Sequence, residues 1–278
     1  MKVSILILTF NEESNISKCI ESISDFDDIV VLDSYSTDST VSIAESKGAR
    51  VFKRKFNNFA DQRNYALANF EFKNEWILHL DADEMLTPEL IKEIKNLTSN
   101  NKFDAFKITS KMFFLGKWLR YSSMYPVYQV RLGHYKKLKF KQYGHGQIED
   151  MDTKNIGMLK EAYIHNTFSK GIDHWFKKHN KYSSDEAKEN LKIKENNFFF
   201  ELKNLVLKKK TDRRRVLKAL SVFLPFRSLF RFIYMYIFKF GFLDGYPGFV
   251  YCRLLSIYEN MIDIKIKINK IKNIKNSK

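Results

Sequence analysis

Cysteine is scarce in this chain. Cys19 and Cys252 are the two in 278 residues, far apart and without ligand spacing. This excludes a disulfide scaffold and a cysteine zinc site, and it fits a reducing compartment. With 4 Pro and 10 Gly in all, no linker rich in either is visible, nor is any internal repeat. The apolar start, Val3 to Phe10, is short and runs straight into Asn11-Glu12-Glu13, so it does not read as a signal peptide. Long apolar runs are missing as well. Residues 216–243 are rich in Leu, Phe, Ile and Tyr, but Arg227, Arg231 and Lys239 interrupt them. A spanning helix needs about 20 mostly apolar residues. The first apolar run is not followed by Gly-x-Gly-x-x-Gly. A dinucleotide pyrophosphate needs bare backbone at that turn, so NAD and FAD are not expected.

What is present is enough apolar material for a real core, at 44% hydrophobic residues, laid out as alternating strands and helices. Residues 3–9 read as a buried strand. Residues 14–24 carry Ile16, Cys19, Ile20 and Ile23 at helical spacing. Ile29–Leu32 reads as a second strand, a helix capped within Thr37-Asp38-Ser39 runs to Lys47, and Gly48 stops it. A short strand at Arg50–Phe52, a helix over 60–70, a strand ending at Leu80 and a helix starting near Thr87-Pro88 follow. The alternation predicts a parallel, doubly wound sheet. Past residue 100, Phe103–Ile108 and Val127–Leu132 look like strands of a mixed sheet, and helix signals dominate from Asp173.

The chemistry gathers at predicted strand ends. Trp76-Ile-Leu-His-Leu80 is followed by Asp81-Ala82-Asp83-Glu84. Ligands of open α/β sheets bind at the carboxyl ends of strands. Two carboxylates two residues apart there suit a hard divalent cation and, with it, a phosphate; the alternative is a solvated acidic turn. Asp33 stands at another strand end, placed to read a ligand edge or to cap the next helix. Thr9-Phe10-Asn11-Glu12-Glu13 follows the first strand, where a carboxylate can accept hydrogen bonds from a ribose or a base.

Taken together, Thr9-Phe-Asn-Glu-Glu, Asp33-Ser-Tyr-Ser-Thr-Asp-Ser-Thr, Gln62-Arg63-Asn64 and Leu80-Asp-Ala-Asp-Glu84 resemble, in order and spacing, the family 2 inverting glycosyltransferases. Phe114-Leu-Gly-Lys-Trp-Leu119, Tyr125-Pro126, Arg131-Leu132 and Gly241-Phe-Leu-Asp-Gly245 narrow the likeness to the bacterial lipopolysaccharide-core β-1,4-glucosyltransferase-like branch, over about residues 1–250. The resemblance implies an α/β fold of GT-A type, a Rossmann-like mixed sheet flanked by helices. It also implies a nucleotide-diphosphate sugar donor, with uridine favoured, and a divalent metal, Mn2+ or Mg2+. Thr9, Asn11, Glu12 and Asp33 would hold the nucleoside. Arg63 would lie near ribose or phosphate, and Asp81 would support the nucleotide. Asp83 would bind the metal, with Asp81 and His165 as further candidate ligands. His165 has two other readings, closure over the diphosphate or a buried core residue.

Inversion by direct displacement needs a general base near the acceptor hydroxyl. The candidates lie in Tyr143-Gly-His-Gly-Gln-Ile-Glu-Asp150, a segment whose glycines suggest a loop close to a ligand. Glu149 is preferred, then Asp150, then His145. The alternative is a turn with a helix-capping acid. Trp118, Tyr121 and Tyr125 are candidate acceptor platforms, though packing is the expected role for at least two of them.

Charge divides the chain. Residues 203–278 hold 18 Lys+Arg against 4 Asp+Glu, nearly all of the net +16. This sets a catalytic region, 1–200, apart from a helical, basic, membrane-associating region, 201–278, whose low-complexity tail from Ile264 is disordered or adheres to lipid. Arg227 and Arg231, one helical turn apart, suggest a helix lying in a membrane interface. Lys208–Lys210 and Arg213–Arg215 suit an anionic membrane surface. The expected enzyme is cytoplasmic, peripheral on the inner face of the cytoplasmic membrane, and extends a saccharide acceptor, lipid-linked for preference. Two other readings are a nucleotidyltransferase, which lacks its usual Gly-rich phosphate loop, and a nucleic-acid-binding protein using the basic tail, which the acidic run at 81–84 opposes. No nucleic-acid partner is expected.

Overall fold

The computed structural model describes residues 1–98, 102–143, 146–195 and 221–276. The chain divides into two compact units, Met1–Gly171 and Ile172–Lys278, so the division falls before the shift in charge near residue 200.

The first unit contains β1 (Val3–Thr9), β2 (Ile29–Asp33), β3 (Arg50–Lys53), β4 (Trp76–Asp81), β5 (Glu84–Met85), β6 (Ala105–Phe114), β7 (Lys117–Trp118), β8 (Tyr128–His134), β9 (Phe140–Tyr143), β10 (Gly146–Glu149) and β11 (Ile156–His165). The main sheet has the order β3-β2-β1-β4-β8-β6-β11-β5, with β7 beside β6. The first four strands in this order are parallel. β8 runs antiparallel between β4 and β6, and β11 lies parallel to β6.

The unbroken apolar run of β1 follows from helices covering both faces of the sheet. Alternate side chains point to opposite faces. Ile5 and Ile7 join a core with Ile16, Cys19 and Ile20 of α1 (Ile16–Ser22), Ala44 of α2 (Thr40–Ser46), and Leu90 and Ile94 of α4 (Pro88–Asn96). Leu6 and Leu8 join a second core with Ala60, Ala66 and Leu67 of α3 (Phe59–Asn69). The Asn58 side chain caps α3 by accepting from the Asp61 N–H, and Thr87 caps α4 ahead of Pro88. Because the leading strands are parallel, their carboxyl ends share one edge. Thr9 lies beside Asp33, and Leu8 beside Asp81.

One expectation about this unit changes. The glycine-bearing segment after Tyr143 was expected as a loop. Its described part, Gly146–Glu149, instead pairs antiparallel with β9, because alternating Gln147-Ile148-Glu149 suits a pleated ribbon. The helix expected to be capped within Thr37-Asp38-Ser39 starts at Thr40, with Ser39 at the N-cap position and Asp38 accepting from the Thr40 N–H.

The second unit is helical in its described parts: α5 (Gly171–Glu195), α6 (Arg227–Ile233), a widened π turn at Tyr234–Phe238, a 3-10 turn at Gly241–Asp244, and α7 (Gly245–Asn276). Among the described residues, no helix is long and apolar enough to cross a membrane. From Ile264 the described residues, to Asn276, continue α7. Ile262 and Ile266, four residues apart and so on one face, are buried with Ala187 of α5. Lys265 donates to Asn180 Oδ1, Ser183 Oγ and Ser184 Oγ at 2.7, 2.7 and 2.8 Å, which fixes the helix pair. Lys208–Lys210 and Arg213–Arg215 lie outside the described residues.

Candidate active site

Three strand ends build the site. The loops after β1 and β2 are joined by reciprocal bonds. The Asn11 N–H donates to Ser36 Oγ at 2.8 Å, and the Thr37 N–H donates to Asn11 Oδ1 at 2.8 Å. Asn11 takes a left-handed backbone (φ 53°), which asparagine tolerates better than most residues. Asp33 is buried, and Ser36 engages both its oxygens, through Oγ at 2.5 Å and through its N–H at 2.8 Å. Thr9 is buried too, and its hydroxyl has no hydrogen-bond partner among the described residues.

Glu12 accepts from Asn15 Nδ2 at 2.6 Å and lies 2.5 Å from Lys170 Nζ. Burial raises its carboxyl above the ordinary range, with Lys170 and Asn15 pulling the other way. Lys170 arrives from the end of the first unit, 158 positions along the chain, and nothing local in the sequence marks it as the partner of Glu12.

The β4 end is the most heavily charged. Arg63 on α3, buried, donates through Nη2 to Asp81 Oδ1 at 2.7 Å, while its Nε and Nη1 have no hydrogen-bond partner among the described residues. Arg131 on β8, also buried, donates through Nη2 to Asp81 Oδ2 at 3.2 Å and to Glu84 Oε1 at 2.5 Å. Its Nε reaches the Tyr163 hydroxyl at 3.3 Å. Glu84 returns through Oε2 to accept the Asp81 N–H at 2.8 Å, closing the acidic turn on itself. Burial alone would raise the Asp81 carboxyl, but Arg131 and Arg63 outweigh it and hold the group well below the usual carboxylate range. Burial pushes Glu84 the other way, with Arg131 opposing. Nothing local in the sequence assigns Arg131 or Glu84 a role. Only the placement of β8 beside β4 reveals what they touch.

Asp83 points away from this knot. Its Oδ2 is 3.3 Å from Nε2 of His165, the last residue of β11, and its carbonyl accepts from the Asn166 N–H at 3.0 Å. The β5–β11 pairing, which aligns His165 with Glu84, brings them together. Burial disfavours protonated His165, but the hydrogen bond and charge of Asp83 outweigh it and raise the imidazole above its ordinary value. A carboxylate oxygen and an imidazole nitrogen are a donor pair that Mn2+ or Mg2+ accepts. Among the described residues no cluster of three or more His, Cys, Asp or Glu is poised to hold a metal by itself.

The candidate bases lie on or beside the β9–β10 hairpin. Glu149 pairs with Lys107 Nζ at 3.1 Å, and Asp150 pairs with Lys141 Nζ at 2.9 Å. Neither acid caps a helix; the cap of the short turn that follows is Asp152. His145 falls outside the described residues. Of the candidate acceptor aromatics, Trp118 and Tyr125 pack edge to face at 5.1 Å, with Lys111 Nζ 5.3 Å from the Trp118 ring. The Arg120 guanidinium lies 5.8 Å from the Tyr121 ring.

Comparison with known proteins agrees with this arrangement. Residues 4–166 match the model of glycosyl transferase family 2. An uncharacterized glycosyltransferase of Rickettsia bellii is 32% identical over 206 residues, covering 69% of this chain and 68% of that protein. The lipopolysaccharide core biosynthesis glycosyltransferase LpsC of Rhizobium meliloti is 23% identical over 218 residues, covering 73% and 76%. Among solved structures, glucosyl-3-phosphoglycerate synthase from Mycobacterium tuberculosis, in complex with Mn2+, uridine diphosphate and glucosyl-3-phosphoglycerate, aligns at a TM-score of 0.44 and 17% identity, over 60% of this chain and 72% of that one. The mixed sheet flanked by helices is of GT-A type, followed by a helical C-terminal region. Strand order, the acids at the strand ends and the family match converge: the chain belongs to glycosyl transferase family 2 and transfers a sugar.

Proposed function

We propose that the protein moves a hexose, with inversion, from a UDP-sugar to a saccharide acceptor that is lipid-linked, on the inner face of the cytoplasmic membrane. The observation that carries the donor half is the shared edge of β1, β2 and β4, with Thr9, Asp33 and Asp81 aligned there and Asp83 and His165 meeting 3.3 Å apart. A nucleoside would lie across Thr9, Asn11, Glu12 and Asp33. The unpaired hydroxyl of Thr9 and the unpaired guanidinium nitrogens of Arg63 are polar atoms that a ribose or phosphate oxygen would satisfy.

Asp83 and His165 are the residues that would hold a divalent cation, with diphosphate oxygens and water completing its shell, as such ions prefer at phosphate sites. That ion would offset negative charge growing on the leaving diphosphate. Asp81 serves this edge from behind, since both its oxygens already face arginines.

Glu149 takes the proton of the acceptor hydroxyl. The freed oxygen attacks the anomeric carbon from the face opposite the diphosphate, and the sugar–phosphate bond breaks with its electron pair leaving on the diphosphate. Lys107 Nζ lies 3.1 Å from Glu149 Oε1 and holds the carboxylate in place. The lipid-linked acceptor is supported by the likeness to LpsC and by the basic surplus of residues 203–278. Family membership favours this reading over nucleotidyl transfer.

The deciding experiment is a screen of nucleotide sugars, read by donor hydrolysis and thermal shift with and without Mn2+. A UDP-hexose should stand out, and EDTA should remove the effect. A response confined to another nucleotide would overturn the donor assignment, and full activity in EDTA would overturn the metal.

A further inference from the structure

The second unit carries an inversion of the usual surface pattern between Leu224 and Tyr246. Side chains that water would normally keep are turned in. Arg227 Nη2 lies 3.0 Å from Glu259 Oε2 of α7, both side chains largely covered. Arg231 is not exposed, and its Nε is buried. Asp244 is buried as well. Lys239 is the one charged residue between 224 and 246 that is exposed. Aromatic and aliphatic side chains are turned out instead. Phe226 is 77% exposed, Phe238 68% and Tyr246 72%, with Leu229, Phe230 and Ile237 exposed among them. Soluble proteins rarely leave so many large apolar side chains together in water, and such patches mark protein or membrane contacts.

The backbone supports a purpose. Phe226 and Phe240 flank α6 and its π turn, both in the left-handed region at φ 50° and 58°. Bulky residues avoid that region, and strain of this kind gathers where function demands a shape. It holds two phenylalanines outward at the two ends of α6 and its π turn. Gly241 and Gly248 meet so closely that a Cβ on Gly248 would collide with the Gly241 carbonyl, so the turn after the segment is tightly closed.

We infer that Leu224–Tyr246 is an insertion surface for the headgroup–acyl boundary of an anionic bilayer, and that apolar burial rather than its arginines seats it there. This keeps the expected helix in the membrane interface but seats it by its aromatic and aliphatic side chains. It rests on the membrane part of the function proposed above and is independent of the donor chemistry. Three observations select a bilayer as the occupant. The segment is too short and interrupted to span, so it can only dip into the interface. Tyr234 and Tyr246 are exposed within it, and tyrosines favour that depth. The surrounding sequence, with 18 Lys+Arg against 4 Asp+Glu over residues 203–278, complements anionic headgroups.

The test uses the full-length protein, flotation with vesicles of zwitterionic lipid or of mixed zwitterionic and anionic lipid, and the triple variant Phe226→Ser, Phe238→Ser, Tyr246→Ser. Wild type should float best with anionic vesicles and retain a measurable fraction at high salt. The triple variant should lose about 10²-fold in partitioning at every salt, because three apolar groups no longer leave water. Donor hydrolysis should be unchanged in the variant, which reports folding and keeps a failure of the transferase reading distinct from a failure of this one. Should the triple variant not fold, Phe238→Trp alone decides: its emission should be quenched by vesicles brominated on the acyl chain. Equal flotation of the variant, absence of quenching, or a wild-type dimer that the triple variant dissolves into monomers without vesicles would each overturn the bilayer as occupant.

Discussion

The two units treat their charges and their aromatics in opposite ways. In the first, apolar side chains fill two cores on either face of a sheet, and charge is concentrated at the strand ends, where Arg63, Arg131, Asp81 and Glu84 bind one another out of water. In the second, Arg227 and Glu259 are drawn inward and phenylalanines stand in solvent. The contrast separates two uses of a buried ion pair. At the β4 end it shapes the turn that carries Asp83, the proposed metal ligand. In the helical unit it clears charge from a face. A buried pair is weak evidence for net stability but costly to break from one side, so single substitutions expose what each pair is for.

The largest effect is expected where the first unit touches substrate. Asp83→Asn should reduce transfer roughly 10⁴-fold, as the loss of several kcal/mol of metal-borne charge stabilisation requires, with thermal stability nearly intact. EDTA should reproduce the loss in wild type, and Mn2+ should restore it. Undiminished activity in either case would remove the metal from the site. Next, Glu149→Gln should slow turnover by about 10²–10⁴-fold with donor affinity preserved. A large effect in Asp150→Asn and none in Glu149→Gln would move the base by one residue.

The structural pairs come next. Arg131→Met strands Glu84 and half of Asp81 without a partner, and should destabilise the first unit by about 3–5 kcal/mol in chemical denaturation. Arg227→Met, at a pair largely but not fully covered, should cost about 1–2 kcal/mol. If the two substitutions cost the same, the difference drawn between the pairs fails.

A smaller, pH-dependent effect belongs to Asp28, at the opposite end of the β1–β2 pair from the site. Burial would raise this carboxyl, but Ser4, the Lys73 N–H and Arg50 bond to it and hold it below the ordinary value. A carboxyl depressed in the folded state adds stability above its unfolded pKa of about 3.9 and loses it as the pH falls through the lower folded value. Asp28→Asn should therefore cost about 1.5–3 kcal/mol at neutral pH and much less near pH 2, read as convergence of the two denaturation midpoints on acidification. Parallel curves would show that the charge of Asp28 is not what matters.

Much of the sheet was readable because β1, β2 and β4 are mostly apolar runs, the last two ending in Asp33 and Asp81, and a run buried on both faces needs no partner to be recognised. The helix start at Thr87-Pro88 was equally local. The edge of the sheet was harder. Gly146–Glu149 carries two glycines' worth of loop signal in its neighbourhood yet forms a strand, since pairing with Phe140–Tyr143 outweighs a weak local preference. The Ile-Lys alternation after Ile264 suggests neither helix nor core, and it became helical because Ile262 and Ile266 meet Ala187 on another helix.

The amino-acid sequence by itself determined the alternating α/β plan, the set of acids at the strand ends and the family likeness, because each rests on periodicity or on residues within a few positions of one another. Only the tertiary structure decided which groups those acids face. Glu12 meets Lys170, Asp81 meets Arg63 and Arg131, Asp83 meets His165, and Arg227 turns inward to Glu259. Charges act over ångströms of space rather than along the chain. A residue's partner is therefore set by sheet order and helix packing, which local sequence does not encode.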